Sequence, residues 1–151
     1  MKKILVSACL LGQPVRYDGQ GKGLTDPRLA RWQAQGRLVS VCPELAGGLP
    51  VPRAPAERQE ARVVTVQGED VTAAFACGAQ AALQLCQAQG IRLALLKEGS
   101  PSCGSQQIYD GTFAGQRVAG EGVTAALLRA HGIQVYAETQ LAELALALGE
   151  S

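Results

Sequence analysis

Three of the five cysteines in this chain occupy the same kind of position, where an apolar run ends and a loop begins. Cys9 ends the run KILVSAC, Cys42 ends LVSVC, and Cys103 lies a few residues beyond LALLKEG. Thiolates bind zinc and iron–sulfur clusters, and a thiol with a lowered pKa is a nucleophile. These positions leave three interpretations open, which are metal binding, a nucleophilic thiol and plain packing.

The two remaining cysteines and the sole histidine favour structural roles. Cys77 and Cys86 are nine residues apart on a predicted helix, which places them on opposite sides of it and predicts ordinary apolar packing. His131 precedes Gly132, so we interpret it as the C-terminal cap of a helix. With that histidine set aside, a Ser-His-Asp or Cys-His mechanism loses its general base.

The bulk composition limits the class of protein. The 151 residues are 47% hydrophobic, so we expect a globular chain. The 14 basic residues nearly cancel the 13 acidic ones, so the net charge gives no electrostatic attraction toward nucleic acids or anionic membranes. No apolar segment approaches the roughly 20 residues of a membrane helix. We therefore predict a cytoplasmic protein with reduced cysteines and a small polar substrate, folded as one domain over residues 1–151.

Strand and helix patterns alternate along the chain. Short runs rich in Val, Ile and Leu predict β-strands at residues 3–8, 38–42, 61–66, 92–97 and 133–136. Start and stop signals predict helices from Asp26-Pro27 to near Gly36, and over residues 69–89, 121–130 and 138–148.

This alternation predicts an α/β fold, a single domain with a mainly parallel sheet flanked by helices in a Rossmann-like three-layer arrangement. The carboxyl ends of parallel strands lie along one edge of a sheet, and ligands bind in the crevice beyond that edge. We therefore expect Cys9, Cys42 and Cys103 to converge there, where their thiolates suit zinc or an iron–sulfur cluster.

Three stretches carry a family resemblance: VSACLLGQPVRYDG, VCPELAGGLPVPR and LLKEGSPSCG. In order and spacing they resemble the signatures of the thiouracil desulfidase family, small bacterial iron–sulfur enzymes formerly known as a domain of unknown function. The resemblance covers most of the chain. It implies an α/β domain with a 4Fe-4S cluster held by three cysteines, one iron free of protein, and removal of sulfur from thiouracil bases or nucleotides.

The resemblance also implies roles for particular residues. By position, the metal ligands would be Cys9, Cys42 and Cys103, and the catalytic side chains Glu44 and Ser100. The usual family signature has a different residue where this chain has Glu98, outside the core of the motif.

These roles agree with a hydrolytic reaction without net electron transfer. An open iron binds the thione sulfur, water adds to the ring carbon with Glu44 as base, and Ser100 orients the water or relays its proton. The products would be hydrosulfide and either uracil or uridine monophosphate. For substrate binding, the candidates in the loops around the thiols are Arg16, Tyr17, Lys22, Arg53 and Ser102. Arg16 and Arg53 are favoured for a phosphate, because arginine forks match phosphate oxygens.

Three alternatives stay open at this stage. The cysteines can hold zinc or an inert cluster in a non-catalytic binding module, and Cys103 can instead take up sulfur as a persulfide without iron. A desulfidase acting on thiolated transfer RNA is the nearest rival, although this chain has no basic surplus for binding RNA.

Overall fold

The computed structural model describes residues 1–21 and 23–150. Its strands are β1 Ile4–Ser7, β2 Leu38–Val41, β3 Ala56–Gln59, β4 Arg62–Thr65, β5 Leu93–Leu96, β6 Gln107–Tyr109, β7 Arg117–Ala119 and β8 Gln134–Ala137. Its α-helices are α1 Pro27–Ala34, α2 Pro43–Ala46, α3 Thr72–Gln89, α4 Val123–Ala130 and α5 Leu141–Ala147. Short 3₁₀ turns cover Ala8–Leu11 and Glu138–Gln140.

The central sheet has four strands in the order β2-β1-β5-β8, and every pair is parallel. Side chains alternate between its two faces along each strand. On one face, Leu5 packs in a buried cluster with residues of α3 and α4, and on the other face Ile4 and Val6 pack with residues of α1 and α5. This is the three-layer α/β arrangement that the sequence predicts.

One predicted strand of this sheet lies elsewhere. Residues 61–66 form β4, which pairs antiparallel with β3 as a separate hairpin. A parallel crossover needs a dozen or more residues and usually a helix, whereas the segment before this hairpin contains only the four-residue α2. A second antiparallel hairpin, β6–β7, follows the loop that carries Cys103.

The helix signals in the sequence are largely confirmed. The side chain of Asp26 accepts the backbone N–H of Arg28 and so caps α1, and His131 closes α4, with its Nδ1 3.0 Å from the Leu127 carbonyl oxygen. Cys86 is buried as predicted, but Cys77 is exposed on α3, so the prediction that it packs in the core is wrong. Among the described residues, no helix is both long enough and apolar enough to cross a membrane.

Helix α2 packs against α3 backbone to backbone. A Cβ atom added to Gly78 would lie 1.9 Å from the carbonyl oxygen of Pro43, and one added to Gly47 would lie 2.0 Å from the carbonyl oxygen of Ala74. Only glycine permits an approach this close. The contact fixes the turn that contains Cys42 and Glu44 against the long helix.

Candidate functional site: a thiol-lined crevice

The three predicted thiols line one cavity of about 830 Å³ at the carboxyl edge of the sheet. Cys9 lies in the turn that follows β1, Cys42 follows β2, and Cys103 lies in the loop after β5. Since β1 is paired with both β2 and β5, the ends of three neighbouring strands bring together residues that are far apart in sequence. Glu44 and Ser100 line the same cavity.

The thiols stand in a poorly solvated environment with a carboxylate nearby. Burial, followed by the Glu44 carboxylate, raises the pKa of Cys9 to about 11. Burial, followed by Glu44, also raises the pKa values of Cys42 and Cys103. Thiols in such surroundings stay protonated unless a cation lies between them, because a positive centre favours the thiolate.

The donor set fits an iron–sulfur cluster. Three thiols share the cavity, and cysteine thiolates are the usual ligands of such clusters. Cys9, Cys42 and Cys103 are therefore the residues that can hold it.

Glu44 lies between one of the thiols and Ser100. One oxygen of its carboxylate is 3.5 Å from Cys42 Sγ, and the other is 3.4 Å from Ser100 Oγ. The Ser100 oxygen accepts the backbone N–H groups of Ser102 and Cys103 at 3.0 and 3.1 Å. With its lone pairs used in this way, the Ser100 hydroxyl can direct its own hydrogen only toward a separate acceptor, and Glu44 is the acceptor in reach.

Arg53 is engaged inside the site. Its guanidinium lies 3.9 Å from the Glu44 carboxylate and donates to the carbonyl oxygens of Val15 and Pro50 at 3.1 and 3.2 Å. The side chains of Arg53 and Glu44 are only 10% and 13% exposed. Arg53 therefore holds a positive charge beside the carboxylate and has few donors left for a phosphate.

Arg16 and Tyr17 also line the cavity, next to Arg53, whose backbone N–H donates to the Tyr17 carbonyl oxygen at 2.7 Å. The Arg16 guanidinium lies 5.8 Å from the centre of the Tyr17 ring and 3.9 Å from the Asp18 carboxylate. Tyr17 is 41% exposed, so its ring is available to a ligand. Lys22, which the sequence places in this group, lies outside the described residues.

Glu98 organises the loop that carries Ser100 and Cys103. Its carboxylate accepts the backbone N–H groups of Gly99, Ser105, Gln106 and Gln107 at 2.9–3.3 Å, and the Ser105 hydroxyl at 3.0 Å. Burial alone would raise the pKa of Glu98, but these hydrogen bonds outweigh it and hold that pKa below its usual value.

Between them, Glu98 and Ser100 satisfy every backbone N–H from residue 102 to residue 107. Ser100 accepts those of Ser102 and Cys103 with its hydroxyl and that of Gly104 with its carbonyl, and Glu98 accepts the next three. A loop with this many internal bonds is organised by its own residues.

The same loop is also hydrogen-bonded to the start of α4. The first N–H groups of the helix, from Val123 and Thr124, donate to the carbonyl oxygens of Pro101 and Ser102 at 2.8 Å. The Ser102 side chain is fully buried, and its hydroxyl lies 2.7 Å from that of Thr124. Ser102 therefore does not reach the cavity, and its predicted contact with substrate gives way to a role in anchoring the loop.

Sequence reasoning missed three residues that line the cavity. Lys97 lies in the stretch LLKEGSPSCG and forms an ion pair with Glu138 at 2.9 Å. Tyr109 and Arg117 come from the hairpin β6–β7, which the sequence does not reveal because its strands are three residues long and one of them is exposed. The only signal for these two residues was a tyrosine and an arginine in a segment rich in glycine.

Together, the fold and the crevice define an α/β protein whose site combines three thiols, two of them buried and one half-buried, with a carboxylate and a hydroxyl. The model of the family described as 2-thiouracil desulfurase matches residues 4–140. The chain therefore belongs to the 2-thiouracil desulfurase family.

Two relatives show how closely the chain follows known proteins. It is 40% identical to the uncharacterized protein YbbK of Bacillus subtilis (strain 168), over 93% of this chain and 99% of that protein. A solved structure named as a 4Fe-4S-dependent thiouracil desulfidase, TudS, is 66% identical and superposes with a TM-score of 0.98, covering 99% of both chains. The similarity extends over the whole fold and all the loops of the crevice.

Proposed function

We propose that this protein is a 4Fe-4S-dependent desulfidase that removes sulfur, as hydrosulfide, from thiouracil or thiouridine monophosphate to give uracil or uridine monophosphate. The observation that carries the proposal is the convergence of three thiols with the Glu44–Ser100 pair on one cavity. The similarity to TudS, which is named for this cofactor and this reaction, supports it.

We assign the cluster to Cys9, Cys42 and Cys103, with one iron free of protein. When bound, the cluster supplies a Lewis-acidic iron that is open to the thione sulfur. The shared position of the three thiols on one cavity at the carboxyl edge of the sheet supports this assignment.

Glu44 is the proposed base. Hydrolysis of the carbon–sulfur bond needs a group that takes a proton from water as the water adds to the ring carbon, and a positioned carboxylate can do this. Arg53, 3.9 Å away, orients the carboxylate. Ser100 donates to Glu44 and so directs the carboxylate oxygen that faces the incoming water. The ring carbon that carried the sulfur stays at the same oxidation level, because water replaces hydrosulfide there.

The proposal extends to the setting of the enzyme. We propose that the chain is one desulfidase domain over residues 1–151, supported by the family match over residues 4–140. Its five cysteines are all free thiols, which suits the reducing cytoplasm. The substrate we propose is a small thiopyrimidine, since the net charge of +1 offers no basic surplus for transfer RNA.

The decisive experiment is anaerobic cluster reconstitution followed by a substrate panel. The panel contains free thiouracils, thiouridine monophosphates and thiolated transfer RNA, and released sulfide is measured for each. We expect sulfide from the small thiopyrimidines in proportion to bound iron. Sulfide release by an iron-free protein would refute the role of the cluster, and an iron-loaded protein inert toward the whole panel would favour a binding module.

A further inference from the structure

Among the described residues, four cationic side chains line the cavity, and three of them have a carboxylate nearby. The pairs are Arg16 with Asp18 at 3.9 Å, Arg53 with Glu44 at 3.9 Å, and Lys97 with Glu138 at 2.9 Å. The fourth cation is Arg117. Within residues 1–21 and 23–150, no carboxylate lies within 4 Å of its guanidinium, and the guanidinium donates no hydrogen bond.

Arg117 is nevertheless held in a defined place. It is the register partner of Tyr109 across the hairpin β6–β7, and its guanidinium lies over the Tyr109 ring at 5.2 Å from the centroid. Such a cation–π contact orients the guanidinium without using its N–H donors. On its other side the guanidinium packs against Gly99, where an added Cβ would lie 3.0 Å from Nη2.

The position relates Arg117 directly to the reacting groups. Gly99 immediately precedes Ser100, whose hydroxyl contacts Glu44. A guanidinium beside Gly99 is therefore next to the loop position of Ser100, on the same cavity as the Glu44–Ser100 pair. The cavity of about 830 Å³ is in the upper part of the range for small-molecule sites, roughly 300–1,000 Å³, so it has room beyond a single pyrimidine ring.

We infer that Arg117, oriented by Tyr109, is a specificity-determining residue that binds the phosphate of a thiopyrimidine nucleotide. This inference rests on the proposed desulfidase function and assigns the phosphate contact within it. Guanidinium and phosphate are complementary in charge and in fork geometry. It also moves the phosphate contact from Arg16 and Arg53, which the sequence favoured and which each have a carboxylate at 3.9 Å, to a cation without such a partner among the described residues.

The first test compares substrates in iron-loaded variants. Arg117→Gln removes the charge and keeps the length, Arg117→Lys keeps the charge but loses the fork, and Arg62→Gln is the matched control. Arg62 is an exposed hairpin arginine paired with Asp70 outside the cavity. For each protein, KM and kcat are measured with thiouridine monophosphate and with free thiouracil.

We expect Arg117→Gln to raise KM for the monophosphate by roughly 10- to 100-fold, the loss typical of a charge-assisted hydrogen bond. The ratio of kcat/KM between the monophosphate and thiouracil should fall by at least tenfold. The ratio for Arg117→Lys should lie between the ratios for Arg117→Gln and the wild type, and the ratio for Arg62→Gln should equal that of the wild type. Equal losses on both substrates, or an unchanged ratio, would overturn the assignment.

A second measurement needs no variant and no turnover. Binding of uridine monophosphate and of uridine to the full-length wild-type protein is compared by calorimetry at low and high salt. We expect the monophosphate to bind at least tenfold more tightly than uridine, with the difference shrinking as salt rises. Equal affinities would refute a phosphate site even if thiouracil is desulfurised. Tight monophosphate binding without sulfide release from any thiopyrimidine would instead keep the phosphate site and refute the proposed reaction.

Discussion

The Ser100 hydroxyl lies 3.4 Å from the Glu44 carboxylate, although 56 residues separate the two in sequence. The two side chains come from the ends of different strands of the parallel sheet and meet beside Cys42, whose sulfur is 3.5 Å from the other carboxylate oxygen. A proton-transfer group thus lies next to a proposed metal ligand, and the two roles can be separated by substitution.

Glu44→Gln should keep the cluster and lose turnover. The amide still forms hydrogen bonds but cannot accept a proton, so the loss measures general-base catalysis, typically about 10²- to 10⁴-fold. Iron content and sulfide release should be measured on the same sample. Iron lost in step with activity would make Glu44 a support for the cluster, and near-normal turnover with iron retained would remove it from the mechanism.

Ser100→Ala should lower both turnover and stability. Besides its proton, the substitution removes the acceptor for the N–H groups of Ser102 and Cys103, and an unsatisfied buried amide costs roughly 1–3 kcal/mol. Denaturant unfolding and sulfide release measure the two effects. Ser40→Ala, at an exposed position of β2, is the control. An unfolding midpoint equal to that of the wild type would contradict the proposed anchoring of the loop.

Replacing any one of Cys9, Cys42 or Cys103 with alanine should abolish both the brown colour and the activity. Each substitution removes one of the three thiols that line the cavity. Cys77→Ala and Cys86→Ala are matched controls, because one thiol is exposed on α3 and the other is buried away from the cavity. Absorbance in the visible range and iron per chain decide the outcome. Full activity in a Cys42→Ala protein would refute the cluster assignment.

Glu98→Gln should destabilise the loop that carries Cys103. It should also change how the free energy of unfolding depends on pH in the acid range. The folded-state pKa of Glu98 is below its usual value of 4.5, so its contribution is complete above about pH 4.5 and is lost as pH falls through the lowered pKa. At neutral pH, we expect the loss of charge-assisted bonds to cost roughly 1–3 kcal/mol. The variant should lose less stability than the wild type on acidification through this range, as measured by denaturant unfolding at several pH values.

A control for Glu98→Gln separates a local effect from a general one. Asp26→Asn alters another carboxylate that accepts a backbone N–H, at the start of α1 away from the crevice. It should lower stability while leaving iron loading unchanged, whereas Glu98→Gln should also slow loading. Equal loading in both variants would limit Glu98 to overall stability.

The sequence predicts the parallel sheet and the convergence of the thiols for the same physical reason. Runs such as ILV and LALL lack polar alternation, which is typical of strands buried on both faces, and parallel strands place their ends on one edge. Cys9, Cys42 and Cys103 could therefore be placed together before any contact was known.

The hairpins and the Glu98 network could not be predicted in this way. In the hairpin β3–β4, Glu60 takes a left-handed conformation with φ of 56°, which sequence rules assign to Gly or Asn, so no turn signal marks it. The bonds to Glu98 come from main-chain N–H groups, which every residue carries, and their convergence depends on the path of the loop. Sequence reasoning therefore treated Glu98 as peripheral.

The close contact between α2 and α3 determines where this enzyme can change its substrate range. Behind Cys42 and Glu44, the backbone of α2 packs directly on the backbone of α3 at Gly47 and Gly78. No side chain at this contact can be enlarged or exchanged to reshape the cavity. The opposite wall is made of side chains from loops and from the hairpin β6–β7. A library designed for new thiolated substrates should therefore vary the hairpin and leave the glycine contact untouched.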